Sequence, residues 1–314
     1  MTSIAIRTEG LTRDFGSVRA VDGLTLEVPE GVVFGFLGPN GSGKTTTIRL
    51  LLGLLQADDG TAEVLGNDVR TGSDAIRAAS GALMEHNGLY ERLSAFENLD
   101  FYARAWHMAP ADRDSRIREL LEGIGLWDRR DELVGTWSRG MKQKLAVVRT
   151  LLHRPRLVFL DEPTAGLDPI AAAALREDLL RLVAEQGLTV FLTTHNLAEA
   201  ERLCSLVGVV RRGRLIAHGH PDEIRVAAAG DHLEIAGRGF GESLLEGLRA
   251  RADVAGAEIL NGRLCVELAP GGVTPPIVAF VVGAGAEVEE VRRATESLED
   301  AFLSLVGEER EDAR

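Results

Sequence analysis

The sequence has 314 residues, room for two domains at roughly 100–200 residues each. Apolar residues make up 45% and charged residues 26%, as in a packed globular chain, and the formal charge of -13 disfavours a nucleic-acid partner, because neutralising phosphates needs a surplus of Lys and Arg. No apolar run approaches the ~18 residues of a membrane span, residues 1–7 lack a secretory apolar region, and Cys204 and Cys265 form no C-x-x-C pair, so a cytoplasmic chain without a disulfide framework is expected.

Residues 5–28 alternate apolar and polar positions, with turn signals at Gly10, Gly16 and Gly23, which predicts an antiparallel β subdomain. Residues 32–37 are an apolar run of buried-strand type, followed by a glycine-rich turn and a helical pattern over 46–55. Residues 94–131 read as mostly helical and as a separate lobe, and a further helix follows Ser138 to about residue 152. Residues 157–160 and 190–193 are short buried strands. Between them a helix over 170–185 places Ala171, Leu175, Leu179 and Leu182 on one face. Strand–helix–strand alternation predicts an α/β layer fold with a mainly parallel central sheet.

The pattern changes after Gly219. Strands are predicted at 232–236, 254–260, 263–268 and 286–293, and helices at 241–252, 274–283 and 297–307. Asn261-Gly262 between two apolar runs is a hairpin signal. The order β-α-β-β-α-β predicts a small ferredoxin-like domain, and the charged residues 308–314 are expected to fray.

Gly38-Pro39-Asn40-Gly41-Ser42-Gly43-Lys44-Thr45 matches G-x-x-x-x-G-K-[ST] between a predicted strand and a predicted helix. Glycines there let backbone N–H groups turn toward a phosphate, and the helix beginning near Lys44, with Thr46 next in its first turn, aims its positive end at the same place. Lys44 supplies a point charge for β- and γ-phosphates, and Thr45 a hydroxyl for Mg2+. A bare glycine turn has no need of Lys-Thr at its end. Asp161 and Glu162 stand at the carboxyl end of strand 157–160, where ligands of open α/β sheets collect. Asp161 suits Mg2+ and Glu162 suits a general base for water, although Asp-Glu-Pro is also a common helix-opening sequence. Of the 35 basic residues only three are lysine, at positions 44, 142 and 144, which singles them out for sites wanting a compact ammonium or reflects chance.

Other segments narrow the family. Thr136-Trp137-Ser138-Arg139-Gly140-Met141 resembles the signature loop of ABC ATPases, whose common form is Leu-Ser-Gly-Gly-Gln. Ala165-Gly166-Leu167-Asp168 resembles their D-loop, His195 their switch histidine, and Phe15 the aromatic that stacks on adenine. An aromatic beside a glycine turn is also an ordinary core residue, and Ser138 is also a suitable N-cap, so those readings stay open. The order and spacing of these segments across residues 3–223 identify the chain as a member of the ABC ATPases.

The resemblance implies a P-loop ABC cassette over residues 1–224, with a RecA-like parallel core sheet, an antiparallel β subdomain and a helical subdomain at about 94–150, followed by an accessory α+β ferredoxin-like domain over 225–314. It implies an Mg-dependent ATPase working as a head-to-tail dimer, with a second copy or a homologous subunit. Each ATP is then held by residues 38–45 of one chain and by Ser138, Arg139 and Gly140 of the other, with Asp168 nearby. Glu85 occupies the place of the Q-loop glutamine and, as an anion, is expected to coordinate Mg2+ or water but does not donate hydrogen bonds. Arg139 and Met141 replace Gly and Gln, so that Arg139 meets either the partner's nucleotide or solvent.

Such departures resemble those of ATP-binding subunits serving separate export permeases. A cytoplasmic location at the membrane face, peripheral through an integral membrane permease, is then implied. Ser297-Leu298-Glu299-Asp300-Ala301-Phe302-Leu303 strengthens the match to the small domain of those subunits. The segment 85–99 is the expected permease groove, with Met84, Leu89, Tyr90 and Phe96 as contacts unless they pack in the core. The alternatives are a non-transport ABC ATPase acting on nucleic acid or the ribosome and a metabolic P-loop kinase. One cassette, no sustained heptads and an acidic balance oppose the first, and the Asp161-Glu162 pair with His195 opposes the second. The prevalence of Arg, Ala and Gly suggests a GC-rich bacterial genome.

Overall fold

The computed structural model describes residues 3–229, 231–260, 262–269 and 271–294. The turn residue Asn261, the helix expected at 297–307 with its Ser297-to-Leu303 segment, and the fraying expected at 308–314 lie outside the described residues. The chain divides into two compact units, residues 1–220 and 221–314. The boundary expected at 224/225 falls inside a helix, α8 (Pro221–Ala229).

The first unit is built on a sheet of β3 (Val33–Leu37), β6 (Ser80–Leu83), β7 (Leu157–Asp161), β8 (Thr189–Thr194), β9 (Leu206–Arg211) and β10 (Arg214–Gly219), in the order β10-β9-β3-β8-β7-β6. All pairings are parallel except β9–β10. Every residue of β3, β7 and β8 is buried, because helices cover both faces of a parallel sheet. The register places Leu37 opposite Thr194, and Asp161 opposite Thr193. The carboxyl ends of β3, β8 and β7 are therefore level, and the segments beginning at Gly38, His195 and Glu162 leave the sheet side by side.

Helix α1 spans Lys44–Leu51, earlier and shorter than the expected 46–55. It starts at Lys44 because Gly43 serves as N-cap, and it stops because Gly53 takes a left-handed φ of 63°. Helix α2 (Ser73–Ala79) leads directly into β6. Helix α6 (Pro169–Gln186) opens on Pro169 and buries Leu175, Leu179 and Leu182, as its spacing predicts. A second sheet pairs β1 (Ile4–Phe15), β2 (Val18–Pro29), β4 (Asp59–Val64) and β5 (Asn67–Asp68) in the antiparallel order β2-β1-β4-β5. Of its three predicted turn glycines only Gly16 makes the β1–β2 turn. Gly10 and Gly23 lie within the strands at register shifts, where a left-handed glycine accommodates a bulge. The helical layer comprises α3 (Ala95–Ala105), α4 (Pro110–Gly123) and α5 (Arg139–Arg149), and a capping box of Ser94 and Glu97 starts α3.

The second unit runs β11 (Asp231–Arg238), α9 (Glu242–Arg249), β12 (Val254–Leu260), β13 (Arg263–Leu268), α10 (Thr274–Gly283) and β14 (Glu287–Ala294). Its antiparallel sheet has the order β12-β13-β11-β14. Leu233, Ile235, Leu264 and Val266 of the sheet pack with Leu244, Leu245 and Leu248 of α9 and with Ile277 and Val281 of α10. The apolar run at 277–282 thus belongs to a small core. No helix among the described residues is long and apolar enough to cross a membrane.

Candidate active site

The segment 38–45 wraps the amino end of α1. Gly43 has a φ of 102°, and a Cβ there would lie 2.2 Å from the Ala20 carbonyl oxygen. At Gly38 a Cβ would lie 2.3 Å from the Val210 carbonyl oxygen, so both positions exclude a side chain. No side chain caps α1, which leaves its first amides free for an anion. Ser42 is buried, and its Oγ has no hydrogen-bond partner.

A cavity of about 330 Å3 opens beside this loop. Asn40, Gly41, Gly43, Lys44, Thr45 and Thr46 line it together with Glu85, Asp161 and Glu162. Lys44 is buried, and its Nζ donates to the carbonyls of Gly38 (2.7 Å) and Pro39 (3.2 Å) and sits 3.2 Å from Glu162 Oε1. The other carboxylate oxygen, Glu162 Oε2, lies 2.8 Å from His195 Nδ1. Asp161 accepts from the hydroxyls of Thr45 (2.7 Å) and Thr193 (2.6 Å). Thr45 and Asp161 thus form a pair of oxygen donors suited to a hard cation. Among the described residues no group of three or more His, Cys, Asp and Glu forms a metal cage. A cation completed by phosphate oxygens and water needs only one or two carboxylates.

The three lysines singled out by composition all meet carboxylates: Lys44 meets Glu162, Lys142 meets Glu91 at 2.7 Å, and Lys144 meets the buried Asp178 at 2.7 Å. Phe15 is 45% exposed, with the Arg13 guanidinium over its ring at 4.8 Å, so it is not a core residue. It pairs with Val18, which lines the cavity, but Phe15 itself does not.

The remaining predicted residues stand elsewhere. Ser138 Oγ accepts from Met141 N at 3.3 Å and caps α5, which then continues through Gly140. Asp168 caps α6 by accepting from the backbone N–H groups of Ile170 and Ala171. Arg139 is exposed, and its guanidinium donates to the Ala165 carbonyl of its own chain at 2.9 Å, lies against Gly166 and lines a second cavity with Glu85, Asp161 and Glu162. None of these lines the cavity beside Lys44. Of the expected groove residues only Tyr90 is well exposed. Met84 packs against the core, and Leu89 and Phe96 are half-buried.

Sequence reasoning missed Thr193, Gln143 and Glu199. Thr193 was within reach, because it ends a predicted strand that pairs with the one carrying Asp161. Gln143, one helical turn beyond Arg139, donates to the Pro163 carbonyl at 2.6 Å. Glu199 lies on α7 (Leu197–Leu203), buried, and accepts from the Thr164 hydroxyl at 2.5 Å. Burial raises its carboxyl pKa. No local pattern announces either contact. The exposed Phe101, beside Tyr90 and Tyr102, and Trp106, stacked on His153, were also missed.

Comparison with known proteins agrees with this geometry. Residues 21–165 match the family described as ABC transporter. The chain is 36% identical over 316 residues to the daunorubicin resistance ATP-binding protein DrrA3 of Streptomyces coeruleorubidus, covering 99% of this chain and 98% of the relative. It is 34% identical over 304 residues to a fluoroquinolones export ATP-binding protein of Mycobacterium tuberculosis, covering 96% and 93%. Among solved structures it is similar to cbiO1 from Clostridium perfringens, part of the ABC transporter complex cbiONQ. The TM-score is 0.67 and the identity 26%, over 71% of this chain and 90% of that one.

Proposed function

This chain belongs to the ABC transporter family as an ATP-binding, ATP-hydrolysing subunit, and we propose that it powers export through a membrane permease encoded as a separate polypeptide. The observation that carries the catalytic part is the Glu162 carboxylate held between Lys44 and His195 at the mouth of the phosphate loop.

ATP enters with its phosphates against Lys44 and the free amides of α1. Lys44 then exchanges two carbonyls and a carboxylate for phosphate oxygens, which releases Glu162. The freed carboxylate accepts a proton from the attacking water, and His195 keeps it oriented. Thr45 and Asp161 are the residues that would hold Mg2+, which would supply charge neutralisation for the phosphate oxygens. The products are ADP and phosphate, with water as the only acceptor. Glu85 faces the same cavity and adds a negative charge where a glutamine is usual, which slows turnover.

Ser138, Arg139, Gly140 and Asp168 serve the nucleotide of a second copy in a head-to-tail dimer. That Ser138, Gly140 and Asp168 line neither cavity at their own chain's Asp161 and Glu162 supports that reading. The permease docks on the aromatic surface of Tyr90, Phe101 and Trp106, each at least 40% exposed. That interaction holds the chain at the cytoplasmic face of the membrane. Export as the direction follows the printed function of the mycobacterial relative. The second unit, residues 221–314, is the accessory domain, and the first, residues 1–220, the cassette.

The test is phosphate release from Mg-ATP by the purified chain with no acceptor added. Steady release, lost in Glu162→Gln while ATP still binds, is expected. Near-normal turnover in that variant would remove Glu162 from the role of base.

A further inference from the structure

The residue that follows β7 is conformationally unusual. Glu162 has a φ of 50°, in the left-handed region that a non-glycine residue occupies only when its surroundings compel it. Its own N–H donates to the Thr193 carbonyl (3.1 Å) and to the Thr193 hydroxyl (3.0 Å). That fixes one side of the residue. The other side is fixed by the next three residues, each held by a side chain from one of two helices. Gln143 Nε2, on α5, donates to the Pro163 carbonyl at 2.6 Å. The Thr164 hydroxyl donates to Glu199 Oε2, on α7, at 2.5 Å. Arg139, also on α5, donates to the Ala165 carbonyl at 2.9 Å. The Ala165 N–H closes the turn onto the Glu162 carbonyl at 3.1 Å.

We propose that Gln143 and Glu199 are positioning residues for Glu162: by pinning Pro163 and Thr164 from two helices, they hold Glu162 in the left-handed conformation from which its carboxylate reaches both Lys44 and His195.

The proposal rests on the reading of Glu162 as the base. Neither positioning residue lines the cavity beside Lys44, while Gln143 lines a second cavity of about 490 Å3 that shares Glu85, Asp161 and Glu162 with the first. Gln143 is half-buried, and Glu199 is 3% exposed. A surface tether would not need such burial. The arrangement also joins the two ends of the catalytic apparatus. The helix headed by Ser138 and the helix that follows His195 act on the same three residues, so a shift of either helix displaces the base.

The experiment measures kcat, KM and ATP affinity for Gln143→Leu, Thr164→Val, Glu199→Ala, Glu199→Gln and Glu162→Gln, with thermal midpoints alongside. Thr164→Val removes the hydrogen bond while keeping the shape, so it remains informative if Glu199→Ala fails to fold. Gln143→Leu and Thr164→Val are expected to lower kcat about tenfold to a hundredfold, as misplacement of a reacting group does, with ATP affinity within about twofold of wild type. Glu199→Gln retains the acceptor oxygen and the neutral form that burial favours, and it is expected to keep most of the activity that Glu199→Ala loses. Wild-type kcat in Gln143→Leu and Thr164→Val, with Glu162→Gln inactive, overturns the proposal and leaves the base in place. Normal turnover in Glu162→Gln overturns the base, and this proposal with it.

Discussion

The phosphate-loop side and the signature side of this cassette use similar residues to opposite ends. On the phosphate-loop side, Lys44, Asp161, Glu162 and His195 satisfy one another around a cavity of about 330 Å3. On the signature side, Ser138 and Asp168 satisfy the amides of their own helices, and Arg139 bonds a loop of its own chain. The first arrangement is poised to exchange its partners for a nucleotide. The second faces no cavity that holds Lys44. Within the chain the two sides meet only through α5, whose Arg139 and Gln143 reach the loop after Glu162, while Ser138 and Asp168 line neither cavity there, as the proposed completion by a second copy requires.

The largest expected effect breaks the first half. Glu162→Gln lowers hydrolysis by about 10²–10⁴-fold, the usual worth of a general base. ATP affinity, read by equilibrium binding, stays near that of wild type. Next comes a variant that separates the two roles of the signature serine. Ser138→Asp keeps an N-cap acceptor for α5 but places a negative charge where the partner's phosphates are proposed to lie. Hydrolysis is expected to fall at least about tenfold, which corresponds to 1.4 kcal/mol, with an unchanged thermal midpoint. A silent Ser138→Asp leaves that serine with capping as its whole function. Asp168→Ala removes the acceptor for two amides of α6, and costs about 0.5–2 kcal/mol in denaturant unfolding while single-chain ATP affinity is unchanged.

The smallest effect is a control away from both halves. His153 stacks on Trp106 with ring centroids 3.9 Å apart, and burial pushes its imidazole pKa below 6.5. Between that lowered value and 6.5 the unfolded chain binds more protons than the folded one. The stability contributed is therefore complete above pH 6.5 and is lost as pH falls through the folded value. Thermal midpoints measured from pH 7 to pH 5 are expected to fall less in His153→Gln than in wild type.

The same contrast explains what was legible in the sequence. β3, β7 and β8 were visible because central parallel strands are buried on both faces and read as apolar runs. The second unit was visible through turn glycines and alternation. The marginal strands were not. β6 is four residues with small side chains at Gly81 and Ala82, and β9 is interrupted by Gly208, where a Cβ would lie 3.0 Å from Phe34. At the site, the chemistry-bearing residues announced themselves by local pattern. Their mutual contacts did not, because Lys44 and Glu162, or Gln143 and Pro163, meet only through the parallel register and the packing of helices on it. Arg139 shows the limit most plainly, since no local pattern announces the hydrogen bond it gives the Ala165 carbonyl 26 residues on.

The most direct test of the two-halves account is sedimentation of purified Glu162→Gln with and without Mg-ATP. The expected result is a monomer without nucleotide and a dimer with it, and Ser138→Asp added to the same chain should abolish the shift. A chain that binds ATP and remains monomeric throughout would contradict completion of the site by a second copy.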